Sequence, residues 1–461
     1  MTSGATAYWC ERAWLGSGPE VNTGVLVEVD GSRIVGVRAD TSAPATATRL
    51  RGLVLPGVAD AHSHAFHRAL RARTNGVVAG GAGSFWTWRE QMYTVADRLD
   101  PDSYHRLARA AYAELALAGV TAVGEFHYLH HGPGGVPYSD PNAMAHALVD
   151  AARQAGLRIT LLDACYLTGG VGSPLEGVQQ RFGDGDADRW ATRVDALATA
   201  YEAAEDVVVG AAVHSVRAVP PGQVPVVAGW AAGRSAPLHV HLSEQVAEND
   251  ACLAAYGLTP AQVLAEAGAL GPRTTVVHAT HPSDGDVSLL GSSTSTVCLC
   301  PTTERELADG IGPGRLLHDA GSPVALGSDS HAVVDPYEQM RAVEMHERLA
   351  TQRRGHWSAD ELLLAATAAG HGCLGWADAG VIAPGALADL VAVRLDSVRT
   401  AGAGDGVDAV VFAATVADVT DVVTGGRETV TAGRHRLTHE LGASVGAELT
   451  QAIDPLWEVH A

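Results

Sequence analysis

Two histidines one residue apart, His62 and His64, end an apolar run that begins at Leu53. In an extended strand, side chains two residues apart point to the same face, so the two imidazoles would look into the same space. Imidazole nitrogen is a good ligand for Zn(II) or Fe(II), and two converging imidazoles are the beginning of a metal site. His-x-His alone fits a pair of solvated loop histidines equally well, so its interpretation depends on the rest of the chain.

A hydrolytic zinc site needs three or four protein ligands and one position left open for water. A second His-x-His pair, His239 and His241, lies in another apolar segment, and Asp329 ends a later one. We choose His241 as a ligand because it lies nearer the C-terminal end of its strand, and we interpret His239 as a core histidine one layer down. The predicted metal ligands are therefore His62, His64, His241 and Asp329.

Other polar residues beside these ligands could move protons. Glu244 follows His241 by three residues, and a carboxylate that is not a ligand can take a proton from water and pass it to a leaving group. His278 ends the next apolar segment and could hydrogen-bond either the metal-bound water or the attacked group, although a rim histidine with other partners is an alternative. Asp329 could also accept a proton, so Glu244, His278 and Asp329 are the predicted catalytic residues.

Composition limits the chemistry and the partners. All 31 basic residues are arginine. The absence of lysine excludes Schiff-base chemistry and a carboxylated lysine that would bridge two metal ions, so one ion is expected. The net charge of −21 argues against nucleic acid and anionic membranes as partners. No apolar run reaches ~18 residues, no signal peptide is visible, and six scattered cysteines fit reduced thiols, so we expect a cytoplasmic protein.

The elements that must position these residues alternate between short apolar strands and helical segments from about residue 56 to residue 380. Eight such strands predict an α/β fold, a (β/α)₈ TIM-type barrel. The first carries His62 and His64, and the others are predicted at 119–128, 157–166, 207–217, 237–244, 274–279, 296–301 and 323–330. Polar residues cluster at the C-terminal end of strand after strand, the rim on which barrels assemble catalytic groups.

Both ends of the chain have a different pattern. Residues 6–55 have the pattern of short strands with a hairpin signal at Asp30-Gly31, and strand pattern returns at 381–393 and 422–431. These segments could pair into a small β-sandwich domain beside the barrel. The predicted division is 1–55 for the N-terminal part of the β-domain, 56–380 for the barrel and 381–461 for the C-terminal part. A glycine-rich, irregular loop is predicted at 75–83.

The motifs resemble the amidohydrolase superfamily, in its mononuclear deaminase branch. This resemblance covers nearly the whole chain and is carried by Pro56-Gly-Val-Ala-Asp-Ala-His62-Ser-His64, His241-Leu-Ser-Glu244, His278, Gly327-Ser-Asp329 and Pro384-Gly-Ala-Leu-Ala-Asp-Leu. Within the branch the sequence is most similar to the formimidoylglutamate deiminases. The segments that carry this similarity are His64-Ala-Phe-His-Arg-Ala, Ser84-Phe-Trp-Thr-Trp-Arg89-Glu, Glu125-Phe-His-Tyr128-Leu-His-His, His214-Ser-Val-Arg217-Ala-Val and His241-Leu-Ser-Glu-Gln.

The resemblance implies hydrolysis of the formimino group of N-formimino-L-glutamate to N-formyl-L-glutamate and ammonia, a step of histidine degradation. It also implies that Arg89, Tyr128, His214 and Arg217 hold the two substrate carboxylates, which agrees with the preference of arginine for forked bonds to carboxylates. At His67 the family usually has glutamine; histidine can also donate a hydrogen bond, so His67 keeps its predicted place in the substrate site. One divalent metal ion, zinc before iron or manganese, and a homodimer are expected.

Two other functions remain open at this point. A deaminase of a purine, pyrimidine or triazine would share the barrel and the metal site, but a flat neutral ring calls for stacking and amide contacts rather than two arginines. A catalytically silent barrel that serves as a scaffold would normally have lost ligands, and every predicted ligand is present. Bound metal together with ammonia release would separate the three functions.

Overall fold

A computed structural model of the protein describes residues 6–75 and 83–458. Its strands, in chain order, are Thr6–Trp14 (β1), Val21–Asp30 (β2), Arg33–Arg38 (β3), Thr48–Pro56 (β4), Val58–Ser63 (β5), Val120–His127 (β6), Arg158–Cys165 (β7), Val207–Val213 (β8), Leu238–Leu242 (β9), Thr274–His278 (β10), Thr296–Leu299 (β11), Val324–Leu326 (β12), Leu390–Val393 (β13), Val419–Thr424 (β14), Arg427–Thr431 (β15) and Arg434–His435 (β16).

The α-helices occupy most of the connections between these strands. In chain order they are Phe85–Asp97 (α1), Pro101–Leu117 (α2), Ala143–Ala155 (α3), Ala187–Ala200 (α4), Val224–Arg234 (α5), Val246–Tyr256 (α6), Pro260–Glu266 (α7), Asp284–Ser292 (α8), Pro301–Glu306 (α9), Gly314–Asp319 (α10), Pro336–Thr351 (α11), Ala359–Leu364 (α12), Gly370–Cys373 (α13), Val407–Ala413 (α14), Leu437–Leu441 (α15) and Val445–Ile453 (α16). Within the described ranges, no helix is both long enough and apolar enough to cross a membrane.

Strands β5 to β12 form the predicted barrel. They are parallel and neighbour one another in the order in which they follow along the chain. Every residue of β5, β6 and β7 is buried, because the inner face meets the barrel core while the outer face meets helices. All eight predicted barrel strands are confirmed.

The barrel closes at the position of the first predicted ligands. The backbone N–H of Asp329 donates to the carbonyl of His62 at 2.8 Å, and that of His64 donates to the carbonyl of Asp329 at 3.1 Å. A side chain at Gly327 would place its Cβ 2.8 Å from the carbonyl oxygen of His62, so the close approach of the two segments requires glycine there. Barrel closure and the candidate metal site therefore depend on the same few residues.

The remaining strands form one eight-stranded sheet, in the order β16-β15-β14-β13-β4-β1-β2-β3. Strand β13 pairs antiparallel with β4, so the two ends of the chain are joined, as predicted for the β-domain. The predicted hairpin at Asp30-Gly31 is present. Strands β14 and β15, which cover the strand pattern predicted at 422–431, form a second hairpin around Gly425-Gly426. The domain boundaries at 55/56 and 380/381 stay a prediction.

The last helices return to the barrel. Helix α16 packs against α2, where Glu448 pairs with Arg109, and the indole of Trp457 donates to the carbonyl of Ala69 at 2.9 Å. The segment predicted as part of the β-domain thus ends on a barrel helix. Of the glycine-rich loop predicted at 75–83, residues 76–82 lie outside the described residues.

Candidate active site

The four predicted ligand side chains converge at the C-terminal rim of the barrel. One donor atom of each lies within 4.8 Å of the donor atoms of the other three. The Oδ1 atom of Asp329 is 3.4 Å from Nε2 of His62 and 3.3 Å from Nε2 of His64. The Nε2 atoms of His62 and His241 are 3.1 Å apart. The structure brings the four together, whereas His239 is fully buried and lies 3.2 Å from the carbonyl oxygen of Cys373 instead.

The hydrogen bonds behind two of these histidines show which ring nitrogens face the cluster. Nδ1 of His64 is 2.9 Å from the carbonyl oxygen of Phe126, and Nδ1 of His241 is 2.8 Å from that of His214. Because a carbonyl only accepts, each Nδ1 carries the hydrogen and each Nε2 turns a lone pair toward the cluster. Burial lowers the pKa of both imidazoles, so neutral acceptors and a carboxylate face one another. This donor set fits a divalent cation.

The turns that carry these groups have unusual backbone geometry. Strand β12 ends at Leu326, and Asp329 lies beyond it with a φ of 47°. Ser243, before Glu244, and His278 also have positive φ values, of 48° and 72°. A non-glycine residue in this region costs on the order of 1–3 kcal/mol and persists only where the surrounding fold imposes it. The rim geometry is therefore imposed by tertiary packing.

Glu244 and His278 lie at the edge of the four-donor cluster. Nε2 of His278 is 3.7 Å from Oε1 of Glu244 and 3.7 Å from Oδ2 of Asp329, and its Nδ1 is 3.5 Å from Oε1 of Glu304. Burial raises the pKa of Glu244, although His278 and Arg217 oppose the rise. Burial alone would lower the pKa of His278, but its three carboxylate neighbours outweigh burial and raise it. Both groups can therefore hold a proton beside the cluster.

A cavity that is partly open to solvent adjoins the cluster. Of the eleven predicted site residues, all but the fully buried His62 line it: His64, His67, Arg89, Tyr128, His214, Arg217, His241, Glu244, His278 and Asp329. The other lining side chains are aromatic or apolar: Phe85, Trp88, Met92, Tyr93, Tyr166, Phe182 and Leu307. The residues predicted for metal, catalysis and substrate thus share one cavity.

Comparison with known proteins agrees with this geometry. Residues 53–429 match the model of the amidohydrolase family. The chain belongs to this family. It is 37% identical over 442 residues to formimidoylglutamate deiminase of Pseudomonas aeruginosa, which spans 93% of this chain and 96% of that protein.

Two further relationships extend the comparison. The chain is 31% identical over 384 residues to 8-oxoguanine deaminase of Pseudomonas aeruginosa, 82% of each protein. The crystal structure of an amidohydrolase from Brucella melitensis is 30% identical and covers 98% of this chain and 100% of its own, with a TM-score of 0.90. The predicted resemblance, the barrel fold and the enzyme class, a hydrolytic deaminase of the amidohydrolase family, are confirmed.

The two arginines in the cavity of this amidohydrolase differ in how their charges are balanced. Nε of Arg217 donates to Oε2 of the buried Glu248 at 3.0 Å, and its Nη2 is 3.6 Å from Oε2 of Glu244. The guanidinium of Arg89 instead lies 4.6 Å from the centre of the Trp86 ring, and its Nε has no hydrogen-bond partner among the described residues. Arg89 is therefore the cation whose charge remains more available to an anionic ligand.

The remaining predicted substrate residues form a polar wall of the cavity. Nε2 of His67 is 2.8 Å from the hydroxyl of Tyr128, and burial lowers the pKa of His67 to about 3, so the ring is neutral. Its Nδ1 is buried without a partner among the described residues, which leaves one ring nitrogen for a polar group of a ligand. His214 contributes the carbonyl that holds His241, and its own ring packs 4.4 Å from that of Tyr166.

Several residues that support the site were not predicted from the sequence. Oε1 of Glu125 accepts from the backbone N–H of Ala65 and its Oε2 from the hydroxyl of Ser63, each at 2.8 Å, and that hydroxyl is 2.9 Å from Nε2 of His331. This network ties β5 to β6 and to the segment after β12. A carboxylate inside an apolar strand is the signal that could have identified Glu125. No local pattern marks Glu248 as the partner of an arginine.

Proposed function

We propose that this amidohydrolase hydrolyses N-formimino-L-glutamate to N-formyl-L-glutamate and ammonia, with one zinc ion per chain. The observation that carries the proposal is one cavity that combines two arginines with the four-donor cluster. A dianionic substrate needs cationic partners, which a neutral ring does not. The 37% identity to a formimidoylglutamate deiminase over nearly the whole chain supports the same substrate.

In this proposal His62, His64, His241 and Asp329 hold the metal ion. Three imidazoles and one carboxylate are donors that zinc accepts in hydrolytic sites. When bound, a divalent ion would supply an activated water near neutral pH, because it lowers the pKa of water to about 7.

The side chains around the cluster perform the proton transfers. Glu244 takes one proton of the attacking water and delivers it to the imino nitrogen, which gives a tetrahedral carbon that carries the new hydroxyl and an amino group. Asp329 accepts the remaining hydroxyl proton, which passes to that amino group, so that the C–N bond breaks, ammonia departs with both water protons, and a formyl C=O replaces the formimino C=N. His278, 3.7 Å from Glu244, donates a hydrogen bond to the imino nitrogen, where negative charge develops as water adds to the carbon. Arg89 and Arg217 hold the carboxylates, with Tyr128, His214 and His67 beside them, and so orient the formimino group.

A purine is the competing substrate, because the chain is also related to an 8-oxoguanine deaminase and aromatic side chains line much of the cavity. The deciding assay incubates the purified protein separately with N-formimino-L-glutamate, 8-oxoguanine and adenosine, and measures ammonia together with the formyl product. We expect kcat/KM to be highest for N-formimino-L-glutamate. Faster deamination of either neutral purine compound would overturn the substrate assignment. Only the assignment as a metal-dependent deaminase would then remain.

Elemental analysis of the protein, purified without added metal, should find one tightly bound divalent ion per chain. The reason is that the part of the chain that the structure describes holds one four-donor cluster, and that the sequence has no lysine to bridge a second ion. Removal of the ion by a chelator should abolish ammonia release, and one equivalent of zinc should restore it. Two ions per chain that survive gel filtration would contradict the proposed stoichiometry.

A further inference from the structure

A cysteine thiol lies beside the candidate metal cluster and has no part in the proposed reaction. Cys300 follows β11 and is fully buried as a free thiol. Its Sγ, one ring nitrogen of His278 and one carboxylate oxygen of Asp329 lie within 4.8 Å of one another. Three donors of different type at this spacing can converge on one cation.

The carboxylate of Asp329 faces two ways. Its Oδ1 lies 3.4 Å and 3.3 Å from the Nε2 atoms of His62 and His64, whereas its Oδ2 lies 3.7 Å from Nε2 of His278. A carboxylate that turns one oxygen to each side can bridge two ions, as carboxylates do in two-metal hydrolytic sites. The position next to His278 therefore adjoins the first cluster, and the side chain of Asp329 lies between the two.

We propose that His278, Cys300 and Asp329 form a second, weaker metal site that takes a thiophilic divalent ion, Cd(II) or excess Zn(II), and that an ion bound there stops turnover. The inference rests on the primary metal site of the proposed function. The second site is weaker because it offers three protein donors and has no bridging lysine. It favours thiophilic ions because thiolate is a soft ligand. The thiol of Cys300 and the proton-holding ring nitrogen of His278 release their protons to solvent when they bind the ion.

Inhibition follows from the neighbours of this site. An ion bound to His278 occupies the imidazole that is proposed to donate to the reacting group. It also lies beside Glu244, whose Oε1 is 3.7 Å from Nε2 of His278, and attracts the carboxylate that has to carry the proton. Both proton-transfer groups would then be engaged by the metal ion.

Cadmium titration of the holoenzyme tests this inference, with Cys298→Ser as the matched control for Cys300→Ser. Cys298 lies two residues earlier in the same buried cluster but is not among the grouped donors. Binding is followed by the near-ultraviolet charge-transfer absorption of cadmium thiolate, by elemental analysis after the titration, and by ammonia release. Each variant is compared with its own rate before cadmium is added.

We expect the parent and Cys298→Ser to take up a second ion, gain the absorption and lose turnover. Cys300→Ser should lack the absorption and need at least about tenfold more cadmium for half-inhibition, since loss of even an outer partner of a metal site costs roughly 10–100-fold in affinity. The inference is overturned if Cys300→Ser shows the same absorption and inhibition. It is also overturned if the total stays at one ion per chain, because cadmium would then have replaced the primary ion.

A measurement on the parent protein tests the inference even if a variant does not fold. The ¹¹³Cd nuclear magnetic resonance of the second ion should show the deshielded shift of a sulfur ligand, and a shift typical of nitrogen and oxygen ligands alone would overturn the inference. Absorption, metal count and resonance need no substrate. If the protein were inactive on N-formimino-L-glutamate, the proposed function would be wrong, but these three measurements would still show whether the second site exists.

Discussion

Replacing Glu244 by glutamine should lower kcat for ammonia release by about 10² or more, the usual scale for loss of a general acid–base group. Glutamine preserves the size of the side chain but cannot accept and return a proton. The metal content should stay unchanged, because Glu244 is not one of the four clustered donors. Ammonia release and elemental analysis on the same samples measure both effects, and a substrate-induced shift in unfolding temperature shows that the substrate still binds.

Glu304→Gln is the matched control for this experiment. Glu304 is also buried and lies 3.5 Å from the other ring nitrogen of His278, but it does not line the cavity. The same chemical change there should therefore cost less activity. Loss of metal together with activity in Glu244→Gln would make Glu244 a ligand, and nearly full activity would remove it from the mechanism.

Replacing Arg89 by methionine should lower kcat/KM for N-formimino-L-glutamate by the equivalent of about 2–5 kcal/mol, the cost of removing one partner from a desolvated charge pair. The effect should be large because Nε of Arg89 has no hydrogen-bond partner among the described residues and the guanidinium packs on Trp86, whereas Arg217 is already paired with Glu248. Arg89→Lys should recover part of the loss, since it keeps the charge but not the forked geometry. Metal content should be the same in all three proteins.

A substrate with one carboxylate shows which arginine holds which group. N-Formimino-4-aminobutyrate lacks the α-carboxylate, so the arginine that binds this group should matter little for its turnover. The parent enzyme should turn it over poorly, because it leaves one arginine unpaired. If Arg89→Met lowered kcat/KM by the same factor for N-formimino-L-glutamate and for a neutral nucleobase, Arg89 would have no role in carboxylate recognition.

The corresponding test of Arg217 needs a double variant. Arg217→Met alone leaves the buried Glu248 without its cation and so lowers the free energy of unfolding as well as substrate binding. Arg217→Met combined with Glu248→Gln removes both charges and restores electrical balance. Thermal unfolding should first confirm that the double variant is folded. If its kcat/KM is still reduced, the remaining reduction measures the contribution of Arg217 to substrate binding.

The pattern of residues along the chain was sufficient to predict much of the fold and of the candidate site. The barrel strands are short, apolar and separated by helical segments, and these features depend only on neighbours along the chain. The parity of a strand places His62 and His64 on one face without knowledge of any other element. The hairpin at Asp30-Gly31 follows from turn chemistry in the same way. The site residues named from the sequence lie together because barrel strands present their C-terminal ends to one rim.

Tertiary structure decided the contacts between residues that are far apart in the sequence. Whether Arg89 or Arg217 carries an unbalanced charge depends on Glu248, whose burial and pairing are consequences of how helix α6 packs on the rim. The approach of Cys300 to His278 and Asp329 depends likewise on the register of three neighbouring strands and on turns with positive φ. Propensity and periodicity describe single segments, whereas these pairings arise only when the closed barrel fixes the distances between segments.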